Sequence, residues 1–391
     1  MEQKSEQIVN DSDKATQYLY DLTVKLLELK GSDIFITAGS PPALKIHQEL
    51  RRVGNQNLTP QQAGLLVRSI MNDRQARAFD AHHEINFSLN FPDVARFRVS
   101  AFTQRGSAGM VLRLIQQRIP TIDELNLPPI LRDIAMAKRG LVIFLGGTGC
   151  GKTTSIAAMI DHRNTQAREH IITVEDPIEF FHRHKQCLVD QREVGVDTDS
   201  YEVALKNTLR QAPNVILIGE VRDRDTMQSV LGFAETGHLC LTTLHANNTD
   251  QAFDRIVNFF SEEKRQQVLM DLSFNVKAFI SQRLLPREDR VGMIPAIEIL
   301  LNTPLMAELI FNGRIKEIKP VMTRSSDQGI ITFDSALFDL YESGKISYET
   351  AIRHADSANN LRLKIKLESK RPPPRSAINT QITIDPDRGN Y

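Results

Sequence analysis

Apolar positions change period along this chain, and the changes mark its elements. Between Lys14 and Lys30, Leu19, Leu22, Leu26 and Leu29 recur at helical spacing, which predicts an amphipathic helix closed at Gly31. Ile34 to Ile36, the turn Gly39-Ser40-Pro41-Pro42, then Leu44 and Ile46 read as strand, turn and strand. Thr59-Pro60 opens a second helix through Leu65, Val67 and Ile70, with Thr59 as its cap. Three further strands are predicted at Ile85 to Leu89, Ala95 to Phe102 and Met110 to Ile115, separated by Pro92-Asp93 and Arg105-Gly106-Ser107. Their closeness favours antiparallel hairpins, so residues 1–115 form a small α+β domain in this reading.

Residues 116–122, with Pro120, read as a linker. Ile130, Leu131, Ile134 and Ala135 then mark a helix that ends at Lys138-Arg139-Gly140 and delivers the chain to the apolar run Leu141 to Leu145. Runs at Ile171 to Val174, Val215 to Ile218 and Leu239 to Leu241 alternate with helical stretches. That alternation predicts a mostly parallel α/β sheet over residues 123–360, with ligand groups at the strands' carboxyl ends. Asp250 to Phe260 and Glu262 to Leu285 carry helical period, the second through Val268, Leu272, Val276 and Ile280, and Phe259, Phe260 and Phe274 read as core. A strand at Met293 to Leu301 and short helices at Pro304 to Phe311, Asp334 to Tyr341 and Tyr348 to His354 follow. Residues 361–391 turn basic and then Pro-rich, the composition of a disordered tail.

Length supports the division, since 391 residues exceed the usual single core. A content of 25% charged and 41% hydrophobic residues is that of a soluble globular protein, and a net charge of zero argues against a chain built to coat nucleic acid. No apolar run approaches the ~20 residues of a membrane span, and the polar N-terminus lacks a signal-peptide core. A cytoplasmic protein with no transmembrane segment is expected, reaching membranes through a partner. Cys150, Cys187 and Cys240 are too scattered for a disulfide framework or a zinc site.

Chemistry concentrates after the strands. Leu141 to Leu145 leads into Gly146-Gly147-Thr148-Gly149-Cys150-Gly151-Lys152-Thr153, then Thr154 and a helix carrying Ile156, Ala157, Met159 and Ile160, which fits G-x-x-x-x-G-K-[ST] in strand, loop and helix context. Glycines let backbone N–H groups turn toward phosphate oxygens, Lys152 supplies a cation for the terminal phosphates, and the Thr153 hydroxyl can ligate Mg²⁺. After Ile171 to Val174 come Glu175, Asp176 and Glu179; after Val215 to Ile218 comes Glu220, placed to hold Mg²⁺ or its water; after Leu239 to Leu241 come Thr242, Thr243 and His245. In the first domain Arg96 and Arg98 share one strand face and Arg113 lies on the next strand, a possible source of charge for a phosphoryl-transfer site or an ordinary basic surface.

Four ordered motifs give the constellation a resemblance. The run 146–153, ITVEDPIEF (172–180), LRQAPNVILIGEVRD (209–223) and TGHLCLTTLHANNT (236–249) resemble the type II/IV secretion and type IV pilus ATPases, and within them the PilT-like retraction ATPases. GSDIFITAGSPP and ARFRVSAF resemble the family's first domain. The resemblance implies a PAS-like domain followed by a RecA-like P-loop ATPase domain, assembled as a hexameric ring, with ATP and Mg²⁺ as cofactors. It also implies Glu179 as general base, Glu220 as the Walker B carboxylate, His245 as a sensor of the terminal phosphate, and Arg96, Arg98, Arg113 and Arg210 as sources of charge across domains or subunits. The four-cysteine cluster of the extension ATPases is absent, and Leu305 to Asn312 lacks the arginines of the PilT-type AIRNLIRE helix. That segment and the tail beyond Asn359, longer than a PilT-type chain needs, resemble the accessory, PilU-like branch, which implies a PilT-like ATPase and an inner-membrane pilus platform protein as partners, at the cytoplasmic face of the machine. An ATP-binding scaffold without essential hydrolysis is the alternative. DNA translocation lacks a basic-aromatic platform to support it.

Overall fold

The computed structural model describes residues 12–371 apart from 48, 93, 116–117 and 326–328. The predicted turn residue Asp93, the start of the linker at 116–117 and the Pro-rich stretch 372–391 therefore lie outside the described residues. The chain forms two compact units: Met1–Ile119 with Pro177–His182 and Glu193–Asp199, and Pro120–Asp176 with Arg183–Arg192 and Ser200–Tyr391.

The first unit runs α1 (Ser12–Glu28), β1 (Asp33–Ile36), β2 (Ala43–Ile46), β3 (Glu49–Arg52), α2 (Pro60–Arg68), α3 (Asp73–His82), β4 (Glu84–Phe91), β5 (Ala95–Gln104) and β6 (Ser107–Ile115). Its strands make one antiparallel sheet in the order β3-β2-β1-β6-β5-β4. Leu19, Leu22 and Leu26 of α1 and Leu66 and Val67 of α2 are buried with Ile34, Phe97, Val99 and Leu112 of the sheet. Thr59 caps α2 through the Gln62 N–H, and Gln62 returns a side-chain acceptor to Thr59 N–H, a reciprocal capping box. A second such box, Asn72 with Gln75, starts α3, a helix the apolar pattern did not disclose because Phe79 is its one buried residue.

Glu193 ties the two later segments to this unit. Its carboxylate accepts from Ser88 Oγ of β4 at 3.3 Å and from the Ile178 N–H at 3.2 Å. Arg96 of β5 lies 5.8 Å from the centre of the Phe181 ring.

The second unit runs α4 (Ile130–Ala135), β7 (Gly140–Leu145), α5 (Lys152–Gln166), β8 (His170–Glu175), β9 (Leu188–Glu193), α6 (Tyr201–Thr208), β10 (Val215–Ile218), α7 (Arg224–Glu235), β11 (Leu239–Leu244) and α8 (Thr249–Asn258). It continues through α9 (Arg265–Asn275), β12 (Val276–Pro286), β13 (Met293–Leu301), α10 (Pro304–Phe311), α11 (Ile318–Arg324), α12 (Phe333–Glu342), α13 (Tyr348–His354) and α14 (Ala358–Glu368). Sheet order is β13-β12-β7-β11-β10-β8-β9, with β12, β7, β11, β10 and β8 mutually parallel. Strands β7, β8, β10 and β11 are almost wholly buried, as in a sheet covered on both faces, and the expected order of an α+β domain followed by an α/β P-loop domain is found.

Three expectations need correction. Glu262 to Leu285 is not one helical stretch: α9 ends at Asn275, and Val276–Pro286 is strand β12, because its apolar run is buried between β7 and β13. Phe274 is exposed at 71% while Phe260 is buried. The tail predicted to begin at residue 361 is helical to Glu368, since Leu361 and Ile365 bury against Phe333, Leu337 and Tyr341.

Candidate functional site

Buried strand β7 ends at Leu145, and the chain turns through Gly146 and Gly151, at φ 148° and 89°, into α5. Neither glycine could carry a side chain. A Cβ on Gly146 would lie 2.4 Å from Cys150 Sγ and 2.7 Å from the Gln282 carbonyl oxygen; one on Gly151 would lie 2.8 Å from Gln282 Nε2. Lys152 is buried and its ammonium donates to the carbonyls of Gly146 at 2.7 Å and Gly147 at 2.9 Å. Two neutral acceptors hold that cation, so phosphate oxygens, which form stronger charge-assisted bonds, can draw it away. Gly147, Thr148 and Gly149 are exposed, and Thr153 and Thr154 stand half-buried in the first turn of α5.

Gln282, which no local motif signals, holds this loop from β12. Its amide donates to the Cys150 carbonyl at 2.8 Å and accepts from Ser155 Oγ at 2.8 Å. A cavity of about 420 Å³ opens beside the loop, walled by Gly146 to Cys150 and by Asn247, Gln282, Arg283, Leu284, Met293 and His354. That volume lies within the range of small-molecule sites.

Neighbouring strand ends carry the acids. Glu220, just past β10, receives His245 Nε2 at 2.9 Å on one oxygen and Arg222 Nε at 2.8 Å on the other. Arg222 also reaches Asp176 at 3.5 Å, and its bond to Glu220 raises its pKa above the usual guanidinium value. Glu175 is buried at the end of β8 and accepts from Thr173 Oγ1 at 2.6 Å and Gln191 Nε2 at 3.2 Å. Burial, and then the charges of Asp176, Glu175 and Glu220, push the Tyr201 phenol well above its ordinary pKa, so it stays protonated and can donate. Thr243 Oγ1 donates to the Gly219 carbonyl at 2.8 Å, tying β11 to the turn that presents Glu220.

The structure thus places the loop residues, Lys152, Thr153, Glu220 and His245 in one unit, just past the carboxyl ends of β7, β10 and β11 of one sheet. Arg210 sits exposed on a 3₁₀ turn, Leu209–Gln211, and does not line the cavity. Glu179, Arg96, Arg98 and Arg113 belong to the first unit. Glu179 is exposed beside Ile178, whose N–H is held by Glu193. Arg98 and Arg113 stand opposite each other across β5 and β6, and Arg113 pairs with buried Asp33 at 2.8 Å.

A hard divalent cation takes oxygen ligands and, when it accompanies phosphates, keeps several of them and water. Thr153 and Glu220 carry oxygens of the kind such a cation takes, and no group of three or more His, Cys, Asp or Glu side chains is placed to hold a metal among the described residues.

Residues 10–306 match the family model described as type II/IV secretion system protein. The chain is 56% identical over 345 residues to the type IV pilus ATPase PilU of Pseudomonas aeruginosa, covering 88% of this chain and 90% of that protein. It is 39% identical over 329 residues to the type IV pilus retraction ATPase PilT of the same organism, covering 84% of this chain and 95% of that one. Among solved structures it is similar to the pilus retraction motor PilT with bound ADP, at a TM-score of 0.82 and 37% identity, over 88% of this chain and 98% of that one.

Proposed function

This chain belongs to the type II/IV secretion system protein family, and we propose that it works there as a PilU-like ATPase assisting type IV pilus retraction. It is an ATPase of the PilT-like group. The observation that carries the reading is the glycine loop of β7, with Lys152 withdrawn onto its carbonyls, in one sheet with the Glu220–His245 pair.

In this reading the loop N–H groups and the N-terminus of α5 take the phosphates, and Lys152 exchanges the Gly146 and Gly147 carbonyls for the terminal ones. Thr153 and Glu220 would hold Mg²⁺, directly or through water, and the bound cation would supply positive charge against those phosphates. His245, fixed by Glu220, senses the terminal phosphate, and Glu179 orients the attacking water as general base. Arginines 96, 98 and 113 supply charge from the first unit, and Arg210 is a further candidate. Subunits assemble as a hexameric ring on the cytoplasmic face of the inner membrane, against the pilus platform protein, and force is delivered together with a PilT-like ATPase. No helix among the described residues is long and apolar enough to cross a membrane.

Pilus retraction measured in cells with and without the PilT-like ATPase tests this. With that partner present, the intact chain should raise retraction force and its Lys152→Ala form should not. Full retraction driven by this chain alone would refute the accessory role, and equal support from Lys152→Ala would leave the scaffold alternative standing.

A further inference from the structure

Helix α14 is apolar on two opposite sides. Leu361 and Ile365 bury one side against Phe333, Leu337 and Tyr341. Two residues advance an α-helix by about 200°, so Leu363 and Leu367 point away from that core, and they stand 57% and 73% exposed. Core packing explains the first pair and not the second. Charge of one sign flanks the outward leucines: Arg362 and Lys366, one turn apart, are exposed on one flank, and the Arg362 guanidinium meets the neutral Asn359 amide oxygen at 3.1 Å. Lys364 lies on the other flank, its ammonium 4.6 Å from the centre of the Phe338 ring. Glu368, the one acid of the helix, comes last.

Both ends of the helix are fastened. Ahead of it, Asp334 accepts from the Asp356 and Ser357 N–H groups at 2.8 and 3.1 Å. Behind it, Glu342 accepts from Ser369 Oγ at 2.6 Å and from the Lys370 N–H at 2.8 Å, and Arg371 donates to the Tyr341 carbonyl at 2.6 Å. The outward face is therefore presented ready-made, with little ordering left to lose on contact. Two leucines among long cationic side chains make a poor protein interface, whose centre is enriched in aromatic residues and depleted of Lys. An anionic bilayer suits them: leucines enter the boundary between headgroups and acyl chains, while Lys and Arg keep their heads at the phosphates.

We propose that the outward face of α14, Leu363 and Leu367 with Arg362, Lys364 and Lys366, docks on the surface of an anionic phospholipid bilayer. Two leucines give reversible contact, not an anchor, so the face holds the chain near the membrane while other contacts position it. This contact needs neither the phosphate loop nor nucleotide. It adds direct lipid binding to the membrane-side placement proposed above, and its failure leaves the ATPase reading intact.

The chain contains no tryptophan, so Leu367→Trp places a single indole on this face. With vesicles of phosphatidylglycerol and phosphatidylcholine at low salt, its emission should shift to the blue and its quenching by acrylamide should fall. Phosphatidylcholine alone should change neither. Co-sedimentation of the full chain with the mixed vesicles measures the partition, to which each cation near the surface contributes about fivefold. Arg362→Gln with Lys366→Gln should therefore lower it by about 10- to 30-fold, and Leu363→Gln with Leu367→Gln by about tenfold. Unchanged thermal midpoints report that the variants are folded. Sedimentation that survives both double substitutions overturns the proposal, as does an indole equally quenched with and without vesicles. An indole already shielded before vesicles are added overturns it in favour of a second copy of the chain on this face.

Discussion

The two sheets carry charge in different places. In the antiparallel sheet, charged and polar groups stand along one face: Ser88, Arg98 and Arg113, within β4, β5 and β6, share one register row with Asp33 at the start of β1, while Phe97 and Val99 bury on the other face. In the parallel sheet the buried strands are almost purely apolar, and Lys152, Glu175, Glu220 and His245 sit at or beyond their carboxyl ends. A sheet covered on one side can display a row of arginines at little cost, whereas one covered on both sides can place charge only where the strands stop. One sheet is suited to lending charge and the other to surrounding a ligand.

The largest effect should come from the lending side. If the first unit supplies charge and base to hydrolysis, Arg98→Gln should lower turnover by about 10³ and Glu179→Gln by about 10² to 10⁴, each with ATP binding retained. Arg113→Gln should cost less, because Asp33 already engages that guanidinium. Steady-state ATPase rates beside nucleotide binding decide the matter; normal rates in all three variants would reduce the register row to an ordinary basic surface.

A smaller effect tests the enclosing side. Gln282→Ala leaves the Ser155 hydroxyl and the Cys150 carbonyl without their amide partner, a loss of about 1–3 kcal/mol in stability, with weaker binding of both ATP and tripolyphosphate. Urea unfolding and titration of the variant check this, and an unchanged loop affinity would show that the glycines hold their shape unaided.

The smallest effect concerns the exception to the comparison. Glu298 lies inside β13, buried at 1% exposure, and burial lifts its carboxyl above the ordinary 4.5 despite the pull of Lys319. Its folded pKa being raised, its stabilising contribution is complete below about pH 4.5 and is lost as pH rises through the folded value. Thermal midpoints of Glu298→Gln and the parent chain should therefore diverge in favour of the variant as pH climbs from 4.5, with the shift appearing over that window alone. A constant difference at every pH would show that Glu298 is ionised throughout, held by Lys319.

These features were unequally legible in the sequence. The phosphate loop is a local pattern in which strand, glycines and helix follow within fifteen residues, Leu141 to Ser155, so sequence order and spatial order coincide. Glu220 and His245 were legible for the same reason, each falling directly after an apolar run. Strand β12 was hidden because Val268, Leu272, Val276 and Ile280 keep helical spacing across the junction at Asn275, and only pairing with β7 and β13 decides between the two structures. Gln282 and His354 had no local signal. A glutamine in a strand and a histidine ending a short helix gain meaning from neighbours far away in sequence. Helix α14 was concealed by composition, since two buried residues, Leu361 and Ile365, outweigh its basic character.

The distance from Gln282 to its partners has a consequence for the newly made chain. Ser155 and Cys150 precede it by 127 and 132 residues. A nascent polypeptide that has left the ribosome only as far as Asn275 already carries every glycine of the loop and Lys152, yet lacks the amide that closes them and the strand that covers β7. The loop's hydrogen bonds are complete only after β12 has been translated and docked. Synthesis therefore separates the appearance of the motif from the completion of its support, and a fragment cut before β12 would contain the signature without Gln282.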